Sequence, residues 1–327
     1  MTQRKKIIPA KVWLLLKLLL AGCALWFIYY KISSHENSHD YLKQIGFAVR
    51  QPKSIVLFFI VILMMMANWT TEAWKWKLMV FKIERISIGR AIEAIFSGIT
   101  VSFFTPNRIG EYAGRVFHLH EGKRMKATFV TIIENFSQLL VTIITGTIAT
   151  IIFLKTNIVL SNWLTFSIII MLISVSVFLL FLYFNLGLFE QILLRLKFSE
   201  YWNHAFHVFS LYTSRELVNV LMLSFLRYLI FSLQFFLLLK LFGSTLLLFP
   251  SLVMSAMTFF IVTVVPTFTI TEIGIRGAVS AYFFGKLTSD VLPVLNAVFS
   301  LWLINLALPA IIGSIFIFNF RFEKTER

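Results

Sequence analysis

Residues 54–67 read SIVLFFIVILMMMA, and this apolar run decides the class of fold. A helix needs about 20 mostly apolar residues to cross roughly 30 Å of hydrocarbon, and the run lies within a segment of that length. The whole chain is 58% hydrophobic and has a mean hydropathy of +0.84, which is well above the apolar share of ordinary soluble domains. The sequence therefore predicts an all-α polytopic membrane protein, with residues 1–327 as a single integral membrane domain.

Six segments are predicted to be full membrane spans, and two further segments are apolar but interrupted. The predicted spans are residues 12–30, 54–74, 128–154, 163–184, 217–240 and 291–318. The interrupted segments, 88–119 and 250–284, each contain a proline near the middle. The first span follows basic residues as a signal peptide does, but it is long and shows no small-residue cleavage site, so we expect it to remain uncleaved.

The placement of the cationic residues predicts the orientation of the chain. The formal net charge of +15, taken alone, suggests nucleic acid as a partner. With the N-terminus inside, however, the predicted cytoplasmic segments hold 18 Lys and Arg residues, whereas the predicted outer segments hold seven. This bias is typical of cytoplasmic loops, and basic segments attract anionic lipids of the inner leaflet. We therefore predict a multi-pass protein of the cell (inner) membrane, with both termini in the cytoplasm and no nucleic-acid partner.

The two interrupted segments carry the same small set of residues. Residues 105–115 read TPNRIGEYAGR, and residues 265–276 read VPTFTITEIGIR. Their prolines are 160 positions apart, their glutamates are 161 apart, and an arginine stands four positions after each glutamate. The span pattern recurs at nearly the same shift, although a chance match is the alternative. We predict two inverted repeats, at about 1–160 and 161–327, each with three spans and one proline-broken re-entrant hairpin, as in many secondary transporters.

Pro106 is predicted to start a helix at membrane depth, because its missing N–H would be unpaired in the first turn anyway. Thr105 and Asn107 can cap that helix, and Arg108 would lie in its first turn. Free N–H groups, the positive end of the helix dipole and a guanidinium would then converge near the middle of the bilayer. The segment therefore predicts an anion site.

The second interrupted segment predicts a similar arrangement. Pro266 is followed by threonines that can cap a helix, and Arg276 is the nearby cation. Glu272 lies four positions before Arg276, as Glu111 does before Arg115, so each pair can share one helix face. A charge inside the bilayer is costly unless it is paired or wet, which makes each pair a candidate for function. The alternative is that each pair only neutralises itself and holds the hairpin together.

Polar residues in two predicted spans add further candidates. Glu134 and Asn135 lie along one side of the third span, and Arg227 lies in the fifth. Glu134 can take up a proton or meet a cationic headgroup, but as a buried partner of Arg108 or Arg227 it would be structural. Arg227 lies where anionic headgroups would pass, and snorkelling to the membrane surface is the alternative interpretation.

The sequence shows no catalytic, metal or cofactor motif. The six histidines, among them His118 and His120, lack the rest of a zinc motif and are predicted to be solvated. The two aspartates, Asp40 and Asp290, are not paired with a second carboxylate, whereas metal-dependent membrane transferases usually need clustered acids. We therefore predict a protein that is not an enzyme and that has no cofactor.

At residues 105–115 the chain resembles the lysylphosphatidylglycerol synthase transmembrane-region family, whose members are flippase-like integral membrane proteins. The resemblance covers essentially the whole chain by its span pattern. The positions that match the two motifs of the family are Pro106, Gly110, Glu111, Arg115, Gly274 and Arg276. The second motif departs from the family pattern, because Gly277 stands where an acid is usual and Glu272 comes earlier.

In the best-known relatives, this domain moves an aminoacylated phospholipid between leaflets, and a fused soluble synthetase makes that lipid. The sequence shows no such synthetase, so the resemblance implies lipid transport without aminoacyl transfer, with a phospholipid or a lipid-linked headgroup as cargo. The other interpretations are an ion-coupled transporter of a small solute, an intramembrane transferase, and an accessory subunit of envelope lipid synthesis. A homodimer is compatible with all of them.

The lipid interpretation assigns a role to each group of candidate residues. Arg108 and the helix end at Pro106 would hold the phosphate of a headgroup, which crosses between the two hairpin tips while its acyl chains stay in lipid. The carboxylates of Glu111, Glu134 and Glu272 would meet cationic or hydroxyl groups. A cavity that opens sideways to the lipid would favour this interpretation, and a sealed cavity would favour a solute.

Overall fold

A computed structural model of the protein describes residues 52–103, 105, 108–157, 161–195, 202, 205–265 and 269–319. Within these ranges every regular element is a helix. The helices, in chain order, are α1 (Pro52–Val80), α2 (Ile88–Ser102), α3 (Gly110–Val116), α4 (Arg124–Asn157), α5 (Asn162–Phe184), α6 (Leu186–Arg195), α7 (Ser214–Leu241), α8 (Leu248–Val264), α9 (Thr269–Phe284), α10 (Leu292–Trp302) and α11 (Leu308–Asn319). Short 3-10 turns cover Glu121–Lys123 and His207–Ser210, and a π-helical turn over Leu303–Ala307 joins α10 to α11.

Five helical stretches of the described chain are long and apolar enough to cross a membrane. They are Lys53–Val80, Glu121–Thr156, Asn162–Phe184, Ser214–Leu241 and Leu292–Ile317. Each overlaps one of the predicted spans, although Lys53–Val80 extends beyond 54–74 and Glu121–Thr156 begins before 128. The remaining prediction, 12–30, lies outside the described residues. The prediction of an all-α, membrane-embedded chain is confirmed, whereas the orientation of the termini stays a prediction.

The first interrupted segment forms two helices, α2 and α3, that pack closely in opposite directions. A Cβ atom added to Gly114 would lie 2.6 Å from Gly98 Cα, and one added to Gly110 would lie 2.6 Å from Val101 O. The later residue of α2, Val101, thus contacts the earlier residue of α3, Gly110, so the two helices are antiparallel. Only glycine lacks the Cβ that would prevent this approach. In the second interrupted segment α8 and α9 also pack against each other, and the return of each pair to the membrane face it entered stays a prediction.

The helix that follows Pro106 begins later than predicted. Arg108 has a φ of 57°, which lies in the left-handed region and does not fit a right-handed helix, and α3 begins at Gly110. The prediction that Arg108 lies in the first turn of this helix is therefore wrong. Thr105 does not occupy the N-cap position, which is Ile109 and has no side-chain cap bond, but its Oγ1 accepts a hydrogen bond from Gly110 N at 2.7 Å and so satisfies the first N–H of α3. Pro106 and Asn107 themselves lie outside the described residues.

The long helix α7 packs against α1, α4 and α10, so these four helices enclose the middle of the protein. Gln234 Nε2 on α7 donates to Val61 O on α1 at 2.9 Å, and Trp76 Nε1 on α1 donates to Thr131 Oγ1 on α4 at 3.1 Å. All four residues are buried. A buried polar atom that loses its partner costs about 1–3 kcal/mol, so these bonds hold the helices in one relative placement.

The turn after α3 buries one of the histidines that are predicted to be solvated. His118 is 6% exposed, and its Nε2 lies 2.9 Å from Ser97 Oγ on α2. The prediction is wrong for His118, because the chain leaving α3 folds back onto α2. His120 is solvated as predicted, and its Nε2 lies 3.8 Å from Glu84 Oε1.

The order of the helices occurs twice along the described chain. A long helix, a broken pair and a second long helix appear as α1, α2–α3 and α4, and again as α7, α8–α9 and α10–α11. This order agrees with the predicted repeat. The inversion of one repeat relative to the other stays a prediction, because it depends on which membrane face each helix starts from.

Candidate functional site

Six charged side chains from four helices meet in the middle of the protein, and we call them the central cluster. They are Glu72 and Lys75 of α1, Glu111 and Arg115 of α3, Glu134 of α4, and Arg227 of α7. Three are carboxylates and three are cations, so the cluster is neutral when all six are ionised. A lone charge at membrane depth has a high free-energy cost, and pairing among the six side chains lowers that cost.

Arg115 lies at the centre of this cluster and is fully buried. Its Nη2 lies 2.6 Å from Glu72 Oε1, and its Nη1 lies 2.6 Å from Glu134 Oε2. Arg115 also bonds to Glu111, the partner predicted from the spacing of four. The glycine at position 98 leaves room for the arginine, because a Cβ there would lie 2.8 Å from Arg115 Cγ. Arg115 therefore joins α3 to both α1 and α4.

Lys75 belongs to this cluster, although the sequence places it in a cytoplasmic segment. Its Nζ lies 2.9 Å from Glu72 Oε2 and 3.2 Å from Glu134 Oε1, and it donates to Ser224 Oγ on α7 at 3.3 Å. The prediction is wrong because α1 continues to Val80, so Lys75 faces its neighbouring helices instead of water. Sequence reasoning also missed Glu72 as a site residue.

Arg227 is held inside the protein rather than directed to the membrane surface. Its Nη1 lies 3.1 Å from Glu72 Oε2, and its side chain is 19% exposed. Its Nε donates to Asn68 Oδ1 at 3.0 Å, and its guanidinium carbon lies 4.9 Å from the centre of the Trp69 ring. Asn68 in turn donates to Asn305 Oδ1 at 3.3 Å, inside the π-helical turn. The snorkelling interpretation of Arg227 does not fit these contacts.

Three further charged residues join the two interrupted segments, and we call them the bridging cluster. Arg108 Nη2 lies 2.9 Å and 3.0 Å from the two carboxylate oxygens of Glu272. Arg276 Nη2 lies 2.7 Å from Glu272 Oε1, as the spacing of four predicts. The side chains of Arg108, Glu272 and Arg276 are 40%, 7% and 15% exposed. The partner of Arg108 is thus Glu272, and Glu134, the partner considered from sequence, is bonded elsewhere.

Two cavities, of about 180 Å³ and about 270 Å³, adjoin one another between the two clusters. Arg108, Arg227 and Gln138 line both of them. The charged residues that line one cavity only are Glu72, Glu111, Glu272 and Arg276. Cavities of a few hundred Å³ are typical of small-molecule sites, so this is the candidate binding site of the protein.

The predicted site residues fall into four groups. Those that line a cavity are Arg108, Glu111, Asn135, Arg227, Glu272 and Arg276. Arg115 and Glu134 are completely buried behind that lining. Gly110 packs against α2, whereas a Cβ added to Gly274 would point into open space. Pro106, Asn107 and Pro266 lie outside the described residues.

The arrangement suits the binding of an anion. The bridging cluster has two guanidinium groups and one carboxylate, so it carries one excess positive charge beside a neutral central cluster. A guanidinium presents donors in a fixed fork that matches phosphate and carboxylate oxygens. Arg108 is the most exposed of the clustered cations described above, so it is the first that an entering anion would meet.

The family profile described as "Lysylphosphatidylglycerol synthase TM region" matches residues 14–313. The match spans both clusters and every helix from α1 to α10. Comparisons with curated proteins and with solved structures found no match. The resemblance seen in the two motifs is therefore confirmed over almost the whole chain. This chain belongs to the lysylphosphatidylglycerol synthase transmembrane-region family.

Proposed function

We propose that this protein is a lipid translocase, which moves the headgroup of a phospholipid or a lipid-linked compound between the two leaflets. The headgroup crosses through the adjoining cavities, and the acyl chains remain in the surrounding lipid. The observation that carries the proposal is the bridging cluster, where Arg108 and Arg276 share the single carboxylate of Glu272 beside a cavity. Membership of the family supports a lipid-related role in the membrane.

The two clusters have different tasks in this proposal. The central cluster is neutral and mostly buried, so it holds α1, α3, α4 and α7 together at membrane depth. The bridging cluster is more exposed and carries an excess cation, so it receives the phosphate of the cargo. Burial decides this assignment, because the guanidinium of Arg115 is enclosed by three carboxylates whereas that of Arg108 is 40% exposed.

The backbone at Arg108 supports its assignment to the cargo. A residue other than glycine in the left-handed region costs about 1–3 kcal/mol, and such residues concentrate at ligand-binding and switch sites. Arg108 has a φ of 57°, and this conformation turns the chain between the end of α2 and the start of α3. In this strained conformation, the guanidinium of Arg108 bonds to Glu272 and lines the cavity.

The membrane placement belongs to the same proposal. The broken pair α2–α3 enters from the cytoplasm, and the broken pair α8–α9 enters from outside, so the cargo meets one tip from each side. Both termini are cytoplasmic in the cell membrane, where the basic segments contact anionic lipids of the inner leaflet. The chain supplies translocation and no covalent chemistry.

Reconstitution into vesicles tests the proposal. Purified protein is incorporated into vesicles that contain phosphatidylglycerol with a fluorescent acyl chain, and dithionite added outside bleaches the outer leaflet. We expect bleaching to proceed beyond the outer half only in vesicles that contain protein. Bleaching limited to the outer half in both samples, together with uptake of radiolabelled glycerol 3-phosphate by the protein-containing vesicles, would assign the site to a soluble anion instead.

A further inference from the structure

We infer that the cargo headgroup is an anionic phosphodiester that carries hydroxyl groups, and that the site discriminates against a headgroup that carries an amine. This inference rests on the proposed function, because it names the class of lipid that the same cavities accept. It follows from the partners of the carboxylates, from the excess charge, and from two polar atoms in the cavity wall.

Every carboxylate that lines the cavities already has a cationic partner in the protein. Glu272 is bonded to Arg108 and Arg276. Glu111 is bonded to Arg115. An ammonium group on the cargo would therefore compete with a guanidinium of the protein for each of these carboxylates, and would not meet a carboxylate without a cationic partner.

The third such carboxylate, Glu72, is the most heavily engaged. Its oxygens lie within 3.1 Å of Lys75, Arg115 and Arg227, and the residue is buried. A cation from the cargo would therefore compete with three cations of the protein for this carboxylate. The carboxylates of this site therefore neutralise the protein and do not recognise a positively charged substrate.

The charge balance points in the same direction. Across the two clusters there are five cations and four carboxylates, so one negative charge on the cargo completes the pairing. A phosphodiester supplies one such charge. A lysine ester of the same lipid adds two ammonium groups, and like charges placed together within a binding site oppose binding. The expected preference is for the lipid without the amino acid.

Two buried polar atoms in the wall of the cavities indicate the uncharged part of the headgroup. Gln138 and Trp69 line both cavities, and Gln138 Oε1 and Trp69 Nε1 have no hydrogen-bond partner within the described part of the chain. One atom is an acceptor and the other is a donor. A hydroxyl group can donate to the first and accept from the second, whereas an ammonium group can only donate. Hydroxyl groups therefore satisfy both positions.

A binding experiment in detergent tests this selectivity without requiring transport. The probes are dioctanoyl phosphatidylglycerol, dioctanoyl lysylphosphatidylglycerol and soluble glycerophosphoglycerol, and the readout is the Kd obtained from the rise in Tm with ligand concentration. We expect the Kd for dioctanoyl phosphatidylglycerol to be lower than that for its lysyl ester by about tenfold or more. Equal values, or tighter binding of the lysyl ester, would overturn the inference. If glycerophosphoglycerol binds as tightly as the lipid, the phosphodiester that the site recognises need not belong to a lipid, and that part of the inference would be overturned.

A single substitution should move the preference in a known direction. Gln138→Glu places an unpaired carboxylate in the cavity wall, so it should raise the affinity for the lysyl ester and lower that for phosphatidylglycerol. Lys286→Ala, which removes an exposed cation stacked on Tyr282, is the matched control and should leave the ratio of the two Kd values unchanged. A ratio that does not move in Gln138→Glu contradicts the placement of the headgroup in this cavity.

The two proposals can fail separately. If the protein binds phosphatidylglycerol selectively in detergent but moves no labelled lipid in vesicles, translocation is wrong and the selectivity stands. If labelled lysylphosphatidylglycerol and phosphatidylglycerol cross vesicles at equal rates, translocation stands and the selectivity is wrong.

Discussion

Arg108 Nη2 lies 2.9 Å from Glu272 Oε1, although the two residues are 164 positions apart in the sequence. The same oxygen of Glu272 lies 2.7 Å from Arg276 Nη2. The two interrupted segments of the chain therefore meet at one carboxylate, at the edge of the cavities. In the proposed function, an entering anion competes with Glu272 for Arg108 and leaves the buried central cluster undisturbed, so one set of charges would hold the fold while the other set would bind cargo.

We predict that Lys75→Met strongly destabilises the protein. Lys75 is completely buried and neutralises part of the negative charge on Glu72 and Glu134. Removal of one partner from a buried ion pair costs about 3–5 kcal/mol. The measurement is the free energy of unfolding in detergent. Lys77→Met on the same helix is the control, because Lys77 is partly exposed and stacks on Trp74. A loss no larger than that of the control would show that Lys75 does not neutralise the cluster.

Glu111 and Arg115 should be coupled in stability, with unequal single effects. Arg115→Gln leaves three carboxylates short of a partner, whereas Glu111→Gln removes one of the three partners of Arg115. We expect Arg115→Gln to cost more, and the double variant to cost less than the two single losses together by about 1 kcal/mol or more. A double-mutant cycle of unfolding free energies measures this coupling. Strict additivity would mean that the two side chains do not act on each other.

Part of this site is predictable from sequence because it depends on local spacing. Glutamate and arginine four positions apart predict contact on one helix face, and both pairs, Glu111–Arg115 and Glu272–Arg276, are in contact. Five membrane spans are equally predictable, since a span needs only length and apolar composition. The interruption near residue 106 is also visible, because proline disfavours the helix interior.

Other parts depend on tertiary contacts that local patterns do not report. Lys75 stands near the end of a predicted span, where a cation is expected to reach water, and only the packing of α4 and α7 shows that it is buried. The spacing of Asn68, Glu72 and Lys75 along one helix face was the available signal. The bond between Arg108 and Glu272 has no local signal, because the partners belong to different halves of the chain.

Because α2 and α3 pack so closely, we predict that a single methyl group added at their contact destabilises the protein. Gly114→Ala should destabilise the protein by about 1–3 kcal/mol, because the new Cβ would lie 2.6 Å from Gly98 Cα and 2.8 Å from Ser97 O, and both atoms are backbone. Gly122→Ala is the control, since no atom lies within 4 Å of its added Cβ. Thermal unfolding of the two variants measures the difference. Equal Tm values for both would contradict the antiparallel contact.

Accessibility labelling checks the inverted arrangement of the two interrupted segments. The only native cysteine is Cys23, so Cys23→Ser provides a background without thiols. We expect Lys123→Cys to react with a membrane-impermeant maleimide only from the cytoplasmic side, and Lys286→Cys only from the outer side. Labelling of both positions from the same side would show that the two halves are not inverted.

The measurement that bears most directly on translocation through the bridging cluster is the rate at which Arg108→Ala moves fluorescent phosphatidylglycerol across reconstituted vesicles. At matched amounts of folded protein, we predict a rate lower than that of the wild type by about tenfold or more, because a charge-assisted hydrogen bond is lost. Arg108→Lys should recover part of the rate, since lysine offers a point charge without the fork, and Lys286→Ala should keep the wild-type rate. A wild-type rate in Arg108→Ala would contradict the account.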